Sequence, residues 1–127
     1  MTPFKICPLC SDRWPNRSRF LEDPELELIG YQVDFEDLES GLFLFNHRCC
    51  GTTLAIRSAA FRDLYAGPFF KNRRTGTDAC PGYCLRCSEF SPCLAECECA
   101  WVREVLQLIR RWPKLLAGQR RCAGSGR

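Results

Sequence analysis

Leu42 to Ile56 is LFLFNHRCCGTTLAI. The run from Leu42 to His47 opens with four apolar residues and is bounded by Gly41 and Asn46. Four residues of this kind between turn formers predict a buried strand. Thr52 to Ile56, rich in β-branched side chains, predicts a second. Between them lies His47-Arg48-Cys49-Cys50-Gly51. The glycine permits the positive backbone angle that a tight turn often demands. One hairpin turn therefore carries three side chains able to bind a metal. Adjacent cysteines do not readily chelate one ion together, so Cys49 and Cys50 are expected to do different jobs. Cys50, followed by Gly51, is the favoured ligand, with Cys49 or His47 as its partner.

About forty residues earlier stands Cys7-Pro-Leu-Cys10. Two residues between thiols let a tight turn aim both sulfurs at one ion while backbone amides donate to them. A knuckle before the sheet and a second in a hairpin resembles the zinc-ribbon pattern. That resemblance implies a small antiparallel sheet pinned by a tetrahedral ion. The expected first site is Cys7, Cys10 and two of His47, Cys49 and Cys50. Trp14 is expected to pack over the knuckle.

A second concentration of thiols follows. Cys80 to Cys99 is CPGYCLRCSEFSPCLAECEC, holding six of the chain's eleven cysteines: Cys80, Cys84, Cys87, Cys93, Cys97 and Cys99. Core packing does not call for thiols at that density, whereas a metal centre or a disulfide cluster does. The spacing of Cys80, Cys84 and Cys87 resembles the cluster motif of radical S-adenosylmethionine enzymes. The chain departs from that family at Arg86, where an aromatic is usual. Its 127 residues also fall short of the roughly 200 that a substrate-enclosing barrel needs, so that family is rejected. Four of the six thiols suffice for a four-thiolate zinc site or a [4Fe-4S] cluster. The cofactors expected are therefore one or two Zn²⁺, or alternatively one [4Fe-4S] cluster at this second site.

The remaining chain predicts modest secondary structure. Phe20 to Glu25 is expected to turn, with Pro24 barring a helix. Glu27 to Phe35 predicts a strand with Ile29, Tyr31, Val33 and Phe35 on its apolar face. Asp34 is the expected cap of a short helical turn that stops at Gly41. Ser58 should cap a short helix ending at Gly67-Pro68, turning Phe61, Leu64 and Tyr65 to the sheet. The strongest period is in Ala100 to Trp112. Trp101, Val102, Val105, Leu106, Leu108, Ile109 and Trp112 lie on one side, and Arg103, Glu104, Gln107, Arg110 and Arg111 on the other. Trp101, Val105, Leu108 and Trp112 form a candidate partner-binding face.

The fold class expected is α+β: a zinc-ribbon-like sheet, a Cys-rich loop and a C-terminal amphipathic helix. Residues 1–70 form the ribbon-like half, 71–117 the metal loop with its helix packed on it in one compact domain, and 118–127 a disordered basic tail. MTPFKICPLC lacks an apolar run of signal length, and no stretch approaches the ~20 apolar residues of a membrane span. A cytoplasmic location, where thiols stay reduced, is the expectation.

Charge is polarised. Phe20 to His47 holds eight acids and no lysine or arginine, whereas seven basic residues follow Ala100 against Glu104 alone. Catalytic patterns are absent from the sequence: a triad would have to use His47, and there is no phosphate-cradling loop. Three functions follow. The favoured one is a non-catalytic, metal-stabilised interaction or regulatory module with a protein partner. The alternatives are an iron–sulfur electron carrier or redox sensor, and a nucleic-acid-binding ribbon. The acid-rich segment disfavours the last.

Overall fold

The computed structural model describes residues 2–74, 77–78, 80–93 and 95–116. The tail expected at 118–127 lies outside the described residues. The chain is a small α+β protein with two antiparallel sheets. Strands β1 (Lys5–Ile6) and β2 (Arg13–Trp14) make one, and β3 (Leu26–Gln32), β4 (Leu42–His47) and β5 (Thr52–Arg57) the other, in that order. Helices are α1 (Arg17–Glu22) and α2 (Ala100–Arg110). No described helix is long and apolar enough to cross a membrane.

The chain divides into two compact units. One comprises Met1–Leu28, Phe45–Leu54 and Trp112–Arg127, the other Ile29–Leu44 and Ala55–Arg111.

In the first unit, β1 and β2 pair antiparallel across the Cys7–Cys10 turn, Lys5 opposite Trp14 and Ile6 opposite Arg13. Helix α1 stands where a plain turn was expected. Asn16, in extended backbone, accepts the Arg19 amide through its side chain at 2.9 Å, and Pro24 falls just beyond the helix end. An N-cap directly after Pro15 is a weak sequence signal, and six residues are too few to show a period. The core is aromatic. Phe20 is fully buried, with ring centroids 5.4 Å from Phe4, 5.2 Å from Trp14 and 4.9 Å from Phe45. Trp14 Nε1 donates to the buried Asp23 carboxylate at 2.8 Å, and Asp23 also accepts the Glu25 amide at 2.9 Å. Lys114 Nζ closes the unit by donating to the carbonyls of Leu21, Asp23 and Leu26 at 2.7, 3.2 and 3.1 Å.

In the second unit, Phe43 packs between Tyr31 (5.5 Å) and Phe61 (5.3 Å), joined by Ile56 and the buried face of α2. Strand β3 corrects the expected facing. Ile29 is 40% exposed, while Gly30 is buried with Tyr31. The reason is a backbone approach: Tyr31 N donates to Cys87 O at 2.8 Å, and a Cβ at Gly30 would lie 2.6 Å from Cys87 Sγ. The loop can cross this strand only over a glycine. The cap expected at Asp34 belongs instead to Asp37, which opens a 3₁₀ turn at Leu38–Ser40, and Asp34 holds its own turn by accepting the Glu36 amide. Ser58 begins a 3₁₀ segment, Ser58–Leu64, but its hydroxyl donates across to the Leu38 carbonyl rather than capping. Helix α2 departs from the expected facing at two residues: Arg103, assigned to the solvated side, is 1% exposed, and Leu108, assigned to the apolar side, is 36% exposed.

Candidate metal centre

The first site is built inside the first unit by two turns. Between β1 and β2, Cys7 N donates to Asp12 O at 2.7 Å and Ser11 N to Cys7 O at 3.0 Å. Ser11 takes a positive φ of 66°, which tightens the loop after Cys10. Between β4 and β5, the amides of Cys50 and Gly51 donate to His47 O at 3.3 and 2.7 Å, with Gly51 at φ 79° as its type allows. Both turns lift their thiols to the same point.

Four donors meet there. Cys7 Sγ lies 3.6 Å from Cys50 Sγ, Cys50 Sγ 3.4 Å from His47 Nδ1, and Cys10 Sγ 3.8 Å from His47 Nδ1. All four donor atoms fall within 4.8 Å of one another. A tetrahedral ion with bonds of about 2.0–2.3 Å sets its donors roughly 3.5–3.8 Å apart. The residues therefore fit a single four-coordinate metal.

The sequence left open whether His47 or Cys49 accompanies Cys50. Here His47 joins the three thiols, and Cys49 is disulfide-bonded. Cys49 also lies within reach of Asp12 and His47, but as a second grouping apart from Cys7, Cys10 and Cys50. Trp14 covers the site as expected, its ring 5.1 Å from the His47 ring.

Electrostatics prepare the thiols. Burial pushes Cys7 up, but the amides of Cys10 and Leu9 and the His47 ring outweigh it and hold the thiol down to about 6. Burial, joined by the neighbouring Cys7 and Cys50 sulfurs, pushes Cys10 up to about 11 against the Asp12 amide. One thiolate is thus ready at neutral pH, and the remaining thiol protons leave when a cation binds.

Asp12 was not singled out from the sequence. It is 5% exposed, and its Oδ2 lies 3.5 Å from His47 Nε2 while Oδ1 accepts the Arg13 amide. A carboxylate behind a histidine ligand fixes which nitrogen faces the metal. An aspartate two residues past a knuckle carries no pattern that would mark it.

Compared with family models, curated proteins and solved structures, the chain has no match.

The Cys80–Cys99 thiols lie in the second unit and are partly assembled. Cys80, Cys84, Cys93, Cys97 and Cys99 line one small cavity with Arg74, Pro81, Tyr83, Ala95 and Ala100. No three of these sulfurs reach the mutual closeness of the first site. Cys84 and Cys99 share a hydrogen bond. It is the main reason Cys84 is held down to about 7, helped by Arg103 against burial, and Cys99 is pushed up. Cys99 stands at the N-terminal boundary of α2, with no capping bond from its side chain. Cys87 is exposed and sits over Gly30, away from the cavity lining.

Of the candidate partner face, Trp101 and Val105 are buried at 4% and 0%, whereas Leu108 is 36% exposed and Trp112 half-buried.

Proposed function

We propose that this protein is a zinc-stabilised, non-catalytic module of zinc-ribbon type, acting through a protein partner. The observation that carries the reading is the convergence of Cys7, Cys10, His47 and Cys50 at tetrahedral spacing from two hairpin turns. Three thiols and one imidazole fill the four positions of a closed structural ion rather than leaving one open for catalysis. When bound, zinc supplies a crosslink between two turns that sequence separates by about forty residues. The chain's own residues do the rest. Asp12 orients His47, and Trp14 and Phe20 exclude water behind it.

The single histidine is fully buried, with Nδ1 against the thiols and Nε2 3.5 Å from Asp12 Oδ2, so it is not placed to act as a base. Nine of the ten described cysteines are free, as a reducing, cytoplasmic setting favours, against the one disulfide-bonded Cys49. For a partner, Leu108 and Trp112 are the accessible members of the last apolar stretch.

The test is metal analysis of the full chain purified without oxygen, followed by Cys10→Ser. At least one zinc per chain, reduced by one equivalent in the variant, is expected. A metal content unchanged by Cys10→Ser would overturn the assignment.

A further inference from the structure

We infer a second metal site in the cavity beside the N-terminus of α2, mononuclear and held by Cys80, Cys84, Cys97 and Cys99, with buried Arg103 as its counter-charge. The inference stands apart from the first site and would survive its failure.

The small cavity favours one ion over a cluster. Its free volume is about 10 Å³. A cube of four irons and four sulfides would need the walls rebuilt outward, whereas one divalent ion needs the sulfurs, no three of which lie within 4.8 Å of one another, to close upon it. Sulfur ligands on all sides select zinc or a similarly thiophilic ion.

Backbone geometry selects the ligands. Gly82 N donates to Cys80 Sγ at 3.3 Å, with Gly82 at φ 79°, so Cys80-Pro81-Gly82 wraps its own sulfur. Cys97 Sγ accepts the amides of Arg74 at 3.1 Å and Cys99 at 3.5 Å. Amide donors of this kind disperse the charge of a metal-bound thiolate. Cys84, Cys97 and Cys99 are 8%, 5% and 3% exposed, and Cys84 and Cys99 touch. Cys93 lines the cavity with no amide donating to its sulfur among the described residues, and Cys87 lies over Gly30 outside the cavity.

The second, independent observation is Arg103. Its side chain is buried, yet only Nη2 is satisfied, donating to Glu89 O at 2.8 Å and Ser91 O at 2.7 Å. Nε and Nη1 are buried with no partner. A guanidinium left this way is costly unless an anion faces it. The group beside it is the Cys84 sulfur. Four thiolates around one divalent ion carry a net charge of −2, which supplies that anion and draws on the α2 dipole as well. The fork from Arg103 to Glu89 and Ser91 also ties down the loop between the two halves of the thiol set.

The test uses the full chain, purified anaerobically under reductant. Iron, zinc and acid-labile sulfide are counted per chain, and the metal is then exchanged for cobalt(II), whose spectrum separates a four-thiolate site from one with three thiolates and an imidazole. Two metal equivalents and both cobalt spectra are expected. Cys84→Ser and Cys97→Ser should each lose the four-thiolate component alone. Cys10→Ser should lose the other, and Cys87→Ser and Cys93→Ser should keep both. Arg103→Met should weaken cobalt at the four-thiolate site at least tenfold and leave the other unchanged. A wild-type chain with no four-thiolate component, a Cys84→Ser chain that keeps it, or iron with stoichiometric sulfide would each overturn the inference. Because the wild-type spectrum decides by itself, a variant that fails to fold does not shield it.

Discussion

Asp12 Oδ2 stands 3.5 Å from His47 Nε2, on the side of the ring away from the three thiols. The imidazole is thereby fixed with Nδ1 toward the sulfurs. Orientation, rather than a fourth ligand, is what the carboxylate provides. Asp12→Asn should keep the fold and weaken metal binding about 10–100-fold. Competition with a chromophoric chelator measures this, and an unchanged affinity would remove Asp12 from the site.

Metal removal should unfold the first unit before the second. Its strands β1 and β2 are two residues each, and an isolated pair of that length is not stable in water. The Trp14 indole proton, bonded to Asp23 at 2.8 Å, is the reporter. With chelator its resonance should lose its shifted position while the α2 signals persist. Retention of that position in metal-free protein would show that the aromatic core suffices without the ion.

Asp23→Ala should destabilise the protein by about 1–3 kcal/mol, because it strands the buried Trp14 indole and the Glu25 amide together. Urea denaturation of the metal-loaded protein measures the loss.

Phe43→Ala should cost about 3–5 kcal/mol. The ring is 0% exposed, and its removal opens a gap between Tyr31 on β3 and Phe61 in the Ser58–Leu64 segment. A loss below about 1 kcal/mol in the same denaturation experiment would mean that this core is loosely packed.

Lys114→Met should cost about 1–2 kcal/mol by leaving the carbonyls of Leu21, Asp23 and Leu26 without their shared donor. Lys114→Arg should recover only part of this, since a planar fork does not point three donors at one cluster of carbonyls as an ammonium does. Equal stability of all three proteins would show the carbonyls to be satisfied by water.

Local pattern determined a good share of this protein. Strand β4 falls where the apolar run from Leu42 to His47 placed it, β5 follows the β-branched stretch, and Gly51 takes the positive φ its turn requires. Cys7, Cys10 and Cys50 were legible as candidate ligands because a knuckle is a short-range object, fixed by spacing and turn chemistry. Tertiary structure alone decided the rest. The choice of His47 over Cys49, the carboxylate behind it, and the division of the six later thiols into five around a cavity and Cys87 over Gly30 depend on contacts between distant residues. Arg103 shows the limit most clearly. Its charge assigned it to water, yet a helix one turn past Cys99 carries it inward with Val102 and Leu106. Hydrophobic periodicity records what prefers to leave water. It does not record a cation drawn inward by buried sulfur, because that preference exists only once the sulfurs have been brought together.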